Sequence, residues 1–162
     1  MYLKKLERNE NQQIIKFIEK VQSPEDGFSL SETPIEDMKK FLEDRHNDSL
    51  GINLKPNRVP QTIYFAIENE KVVGVIKIRE SLTPFLLKLG GNIGYCVAKE
   101  HRRKGYGKKM LSLGLEKTRD IGMEKVLITC NTDNQGSEGV ILGNGGILEN
   151  VIEGHKRFWI KL

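Results

Sequence analysis

Residues 92–109, NIGYCVAKEHRRKGYGKK, decide the fold. Asn92 to Ala98 is an apolar run following the Gly90-Gly91 pair and reads as a strand, while Gly107 to Ile121 has helical spacing and stops at Gly122. Between them lies Arg102-Arg103-Lys104-Gly105-Tyr106-Gly107-Lys108-Lys109. A helix start exposes unpaired backbone N–H groups and a partial positive charge, and glycines let backbone approach a ligand without side-chain obstruction. Helices favour acids in the first turn, yet this one carries Lys108 and Lys109, which costs stability unless an anion sits there. The segment points to a phosphate turn, with a solvated basic loop as the other reading. A dinucleotide fingerprint would need glycine at 110, where the chain has Met110, and a Walker A loop would need glycine at 102, where it has Arg102.

Outward from this segment, Val126 to Asn131 reads as a short buried strand, so strand, helix and strand form a right-handed crossover whose two strands run parallel. Upstream, Thr62 to Glu68 and Val72 to Arg79 form an antiparallel hairpin across Asn69, Glu70 and Lys71. Tyr2 to Leu6 is a candidate strand. Gln12 to Val21 is a helix with Ile14, Ile15, Phe17, Ile18 and Val21 at helical spacing, broken by Ser23, Pro24, Asp26 and Gly27. Thr33-Pro34-Ile35-Glu36 has the form of a capping box with proline at the first helical position. A second helix is therefore expected from there to about Arg45, with Ile35, Met38 and Leu42 inward, and His46 to Gln61 is expected to be loop. Downstream come a short helix, Ser137 to Asn144, ending at Gly145-Gly146, and closing strands over Ile147 to Ile152 and Arg157 to Leu162.

The composition agrees with a single domain spanning 1–162. The chain has 26 Lys and Arg against 22 Asp and Glu, 30% charged and 38% hydrophobic residues, enough for a core without disulfides or metal. Net charge is +4, but Lys99 to Lys109 alone hold six basic residues and one acid, so the remainder of the chain sums to −1. Such focus suits a small anion rather than nucleic acid, which would draw on a basic face. Cys96 and Cys130 stand in apolar runs without metal-ligand spacing and read as buried core thiols, so no metal is expected. MYLKKLERNE lacks the roughly 7 to 15 residue apolar stretch of a signal peptide. No run approaches the ~18 residues of a membrane span. A cytoplasmic protein with no membrane partner is expected.

Arg102-x-x-Gly105-x-Gly107 after an apolar strand resembles the acyl-coenzyme A signature of the GNAT superfamily of N-acetyltransferases. The resemblance continues through Leu111 to Leu115, the strand VLITCN, Asn134-Gln135-Gly136-Ser137 and Asn144-Gly145-Gly146, and covers roughly Thr62 to Ile147. It implies an α/β (α+β) fold: a mixed, mostly antiparallel twisted sheet flanked by helices, with a splayed parallel strand pair forming the acyl-CoA cleft. It implies acetyl-CoA as cosubstrate, with main-chain groups of Cys96 and Val97 on the pantetheine arm. Amides from Arg103 through Lys104, Gly105, Tyr106 and Gly107 to Lys108 would hold the pyrophosphate, with charge from Arg102, Arg103 and Lys104. Asn134 and Ser137 match the second cofactor segment. Where many relatives place a tyrosine to protonate the leaving thiolate, this chain has Ile141.

In direct attack by an amine, catalysis comes from positioning and from N–H groups at the developing oxyanion. An alkyl ammonium of pKa near ~10 must first lose a proton, and Glu68, Glu80 and, through water, Tyr95 are candidates to receive it. No catalytic residue is assigned, and His101, His155 and Trp159 are given no role. Glu25 to Asp48 hold eight acids and three Lys or Arg, a sum of −5, in a region that borders the acceptor cleft in the family. The expected acceptor is a small-molecule or peptide amine, cationic on this field, with a homodimer left open. The alternative function is a non-catalytic acyl-CoA-binding sensor or regulatory module.

Overall fold

The computed structural model describes residues 1–21 and 28–162. Seven strands form one sheet in the order β1-β2-β3-β4-β5-β7-β6. They are β1 (Tyr2–Lys5), β2 (Gln61–Glu68), β3 (Lys71–Arg79), β4 (Ile93–Val97), β5 (Lys125–Asn131), β6 (Ile147–Ile152) and β7 (His155–Lys161). Neighbours pair antiparallel except β4 and β5, which run parallel. The expected hairpin is present, and its turn is tighter than read. Asn69 (φ 47°) and Glu70 (φ 62°) both adopt left-handed backbone, as a two-residue turn that follows the twist of the strands requires, and Lys71 already pairs with Glu68.

Because strand side chains alternate between faces, the sheet carries two apolar clusters. One gathers Ile14, Phe17 and Ile18 of α1 (Gln12–Val21) and Phe41 and Leu42 of α2 (Met38–Ser49) against Phe65, Val75 and Cys96. The other gathers Met110, Leu111 and Leu115 of α3 (Tyr106–Asp120) and Ile141 of α4 (Gln135–Leu142) against Ile76, Ile93, Ile128 and Phe158. Met110, Leu111 and Ile141 are wholly buried, positions at which truncation to alanine costs about 2–5 kcal/mol.

The capping box at Thr33 does not start a helix. α2 begins at Met38, because Asp37 adopts an extended conformation and its side chain accepts the Lys40 N–H at 3.0 Å. Ile35 and Met38 still pack against the first cluster, so the apolar contact that suggested a helix is met by an extended approach. The same helix runs through His46 to Ser49, which the sequence placed in a loop. Its end is fixed by Gly51 (φ 70°), with the N–H groups of Leu50 and Ile52 both donating to the Asn47 carbonyl at 3.0 Å. The break assigned to Ser23, Pro24, Asp26 and Gly27 lies outside the described residues.

Candidate active site

The β4–β5 ladder holds a single residue pair, Ile93 with Ile128. Asn92 makes that join: its N–H donates to the Leu127 carbonyl (2.7 Å), its Oδ1 accepts the Leu127 N–H (2.8 Å), and its Nδ2 reaches the Arg79 carbonyl of β3 (3.2 Å). Gly91 precedes it with φ 63°, and a Cβ there would lie 2.4 Å from the Leu127 carbonyl oxygen, so only glycine lets the chain cross onto β5. Beyond this stitch the strands part. Gly94 to Val97 on one side and Thr129 to Asn131 on the other line a cleft of about 1160 Å³, more than a drug-sized ligand fills.

Strand alternation decides which main-chain groups face the gap. The Ala98 N–H donates to Val73 and the Arg79 N–H to Asn92, so Gly94, Cys96 and Ala98 turn their backbone toward β3. Tyr95 and Val97 turn theirs toward β5. The expectation of backbone contacts from Val97 fits this geometry; for Cys96 the position shifts to Tyr95, because the Cys96 backbone is spent on β3. Cys96 and Cys130 both line the cleft wall as buried thiols, as the sequence suggested. Burial pushes the Cys130 thiol up, so it stands as a neutral group and not as a nucleophilic thiolate.

At the mouth, Lys99–His101 form a 3-10 turn, after which Arg103 (φ 61°) and Gly105 (φ 76°) swing the chain into α3. A left-handed arginine is strained, and glycine relieves the second such position. Gly105 caps α3 with no side-chain bond, the first turn contains no acid, and a Cβ at Gly105 would meet nothing within 4 Å. The helix start is therefore open, with its first N–H groups and dipole presented to the cleft. The second glycine has a different reason: a Cβ at Gly107 would sit 3.0 Å from Val140 Cγ2 of α4, so it permits helix packing. Arg102 donates through Nε to the Val97 carbonyl at 3.0 Å and ties the turn to the end of β4. Arg103, Tyr106 and Lys108 line the cleft; Lys104 does not, its Nζ donating instead to the Glu100 carbonyl (3.0 Å).

Across the gap, Asn134 Oδ1 accepts the Ser137 N–H (2.9 Å) and starts α4, two residues ahead of the expected start. Both residues line the cleft. The Tyr95 hydroxyl lies 2.8 Å from Ser137 Oγ and 3.2 Å from the Ser137 carbonyl, joining β4 to α4. Burial pushes this phenol well above its ordinary pKa, so it keeps its proton. Ile141 is buried in the core and offers the cleft nothing.

Neither proposed carboxylate reaches the cleft. Glu68 is held by the Met1 amine and by Lys109 (3.4 Å), partners that keep its carboxyl below the usual range. Glu80 is exposed beyond the end of β3. Of the histidines given no role, both His101 and His155 line the cleft. His155 pairs with Asn131 at the open end of β5, and its Nδ1 lies 2.9 Å from the Glu153 carbonyl. Lys77, Arg79 and Phe28 also line the cleft and were passed over in sequence, since nothing in a strand pattern marks a cation as facing a cavity. Trp159 donates to Glu149 (3.1 Å) and lies outside the lining. Among the described residues no group of His, Cys, Asp or Glu is placed to hold a metal ion, and no helix is long and apolar enough to cross a membrane.

A mixed sheet with one parted parallel pair and a cationic glycine turn at its mouth defines an acyl-CoA-dependent acyltransferase. The chain belongs to the acetyltransferase (GNAT) family, whose sequence model matches residues 15–143. Solved structures share the fold. A GNAT-family acetyltransferase from Streptococcus pneumoniae is 18% identical, with 99% of this chain and 98% of that one covered and a TM-score of 0.67. Spermidine N-acetyltransferase from Vibrio cholerae, solved with CoA and spermine, is 15% identical over 98% and 94%, with a TM-score of 0.65. The microcin C7 self-immunity acetyltransferase, solved with acetyl-CoA and AMP, is 19% identical over 93% and 82%, with a TM-score of 0.59. No curated protein sequence matches the chain significantly.

Proposed function

We propose that this chain is an N-acetyltransferase, working as a single domain, that moves an acetyl group from acetyl-CoA to a primary amine by direct attack. The observation that carries the reading is the gap between β4 and β5 with the uncapped start of α3 at its mouth. Relatives of the same fold have been solved with CoA or acetyl-CoA, and the large cleft fits a nucleotide-linked donor. The amides of Arg103 to Lys108 cradle the pyrophosphate, helped by the Arg103 and Lys108 side chains, with Gly105 leaving the approach open. Arg102 positions that turn through Val97. Asn134 and Ser137 line the opposite wall, while the main chain of Tyr95 and Val97 faces the arm between the strands.

An N–H from that same edge polarises the thioester carbonyl and stabilises the negative charge that develops on its oxygen. The bond from amine nitrogen to carbonyl carbon forms and the carbon–sulfur bond breaks. His155 takes the amine proton: with Nδ1–H donating to the Glu153 carbonyl, Nε2 is left as an acceptor. Tyr95 stays protonated with its O–H donated to Ser137, and the departing sulfur, whose thiol pKa is near ~8.5, takes its proton from solvent.

Mixing the protein with acetyl-CoA and a panel of amines tests the reading. Release of free thiol that depends on the amine is expected; tight acetyl-CoA binding with no thiol released by any amine overturns it. That second outcome would favour an acyl-CoA sensor, the reading supported by the burial of Ile141 at the usual tyrosine position.

A further inference from the structure

The end of the cleft away from the cationic turn carries positive charge that nothing in the described structure balances. Lys77 and Arg79 are alternate residues of β3, roughly 7 Å apart along one face, and both line the cleft. Lys77 pairs with Gly94, so it stands about 10 Å along the sheet from Val97 and the phosphate turn, on the face covered by α1 and α2. Its ammonium donates to the Ser29 carbonyl (2.5 Å) and lies 4.9 Å from the centre of the Phe28 ring. Neither neighbour is a carboxylate, and an ammonium has three donors. Arg79 spends Nε on Gln61 Oε1 (3.2 Å) and Nη1 on the Gly90 and Gly91 carbonyls (3.2 and 3.1 Å), which leaves Nη2 unspent among the described residues.

Four of the eight acids that suggested a cationic acceptor are engaged elsewhere. Glu32 pairs with Arg58, Asp37 caps α2, Asp44 holds Lys40 (2.7 Å) and Asp48 holds Arg45 (2.8 Å), and none of these lines the cleft. Glu25 and Asp26 lie outside the described residues. Among those described, the cleft is lined by Lys77, Arg79, Arg102, Arg103 and Lys108 against one acid, Asp133, which stands beyond the far end of β5.

We propose that Lys77 and Arg79 form an anion subsite, and that the acceptor is an amine that also bears a carboxylate or phosphate. The inference rests on the acetyl-transfer reading. A guanidinium edge beside an ammonium offers the charge-assisted bonds that either anion accepts. The electrostatics agree. Burial first, then Arg79, Arg45 and Arg58, pushes the Lys77 ammonium down to about 7, and burial followed by Arg58 pushes Arg79 down to about 10. A bound anion relieves both.

Matched amines test it: β-alanine against β-alaninamide, O-phosphoethanolamine against ethanolamine, and spermidine as the polycation. Turnover is followed by thiol release from acetyl-CoA, and binding to the CoA-saturated protein by calorimetry. At least one amine bearing the acid group should exceed its partner lacking it about tenfold in kcat/KM and in affinity, and the pair that does so tells carboxylate from phosphate. Lys77→Met should shrink that ratio to below about threefold, while Lys77→Arg, which keeps the charge, retains most of it. Equal use of both partners, a preference for spermidine, no binding by either amine bearing the acid group, or an unchanged ratio in a folded Lys77→Met each overturn the inference. Anion-selective binding without thiol release upholds the subsite and refutes acetyl transfer. Thiol release without anion preference does the reverse.

Discussion

At the α3 end of the cleft, Arg103 and Lys108 are exposed to water, whereas at the β3 end Lys77 and Arg79 stand on a central strand, Lys77 against Phe28 and Ser29. Charge on the turn is hydrated and screened, so it costs little to maintain, and the local expense is backbone strain at Arg103. Charge on the strand is taken out of water, and the expense appears in the depressed pKa of Lys77. On the proposed function, the first arrangement would attract an anion over distance and hold it with backbone N–H groups. On the subsite proposed above, the second would discriminate, because a buried cation with no carboxylate beside it among the described residues rewards a ligand that brings one.

The comparison breaks most readily at Gly105. Gly105→Val forces a β-branched residue into left-handed backbone and fills the open space before α3, so acetyl-CoA affinity should fall about a hundredfold or more by calorimetry, with a lower Tm. Gly105→Asn, which tolerates that conformation, should recover the Tm and not the full affinity; full recovery of affinity would mean that the space is not used.

At the opposite wall, His155→Gln should reduce kcat by about a hundredfold with acetyl-CoA affinity unchanged, and unaltered turnover removes His155 as the base. Asn92 belongs to neither end but holds the strands together where they begin to part. Asn92→Ala strands the Leu127 N–H and should cost about 1–3 kcal/mol, read as a loss of several degrees in Tm.

Smaller effects sharpen the contrast in burial. Lys77 binds its proton less tightly when folded (about 7) than when unfolded (10.5), so the folded protein gains stability as pH rises from about 7 toward 10 and lacks that gain below 7. Lys77→Met should flatten the rise in Tm between pH 7 and 9; the same slope in both proteins would show that Lys77 is not held in this state. On the solvated turn, Lys104→Ala should change acetyl-CoA affinity less than about threefold, since its side chain is turned onto the Glu100 carbonyl.

Much of the fold was legible because its signals are local. The hairpin, the order of α3 and β5, and the basic turn each rest on residues adjacent in the chain, where periodicity, glycine and charge act over a few positions. The error at Thr33 was also local: two capping signals lie four residues apart, and the choice of Asp37 was made by how Ile35 and Met38 pack. Gly107 lines the cleft and is also a packing glycine, a second demand that depends on Val140 of α4. The candidate carboxylates were chosen by nearness to strand ends, which says nothing of which end faces the gap.

The sequence by itself determined the family signature, the strand–helix–strand core and the cationic glycine turn, because each is written in consecutive residues whose backbone conformations and charges interact at short range. Only the tertiary structure decided that Cys96 turns its backbone to β3 while Tyr95 and Val97 face the gap, and that Lys77, Arg79 and His155 share the cleft with that turn. Those facts follow from strand register and from which strands part, and register is settled by burial across the whole sheet.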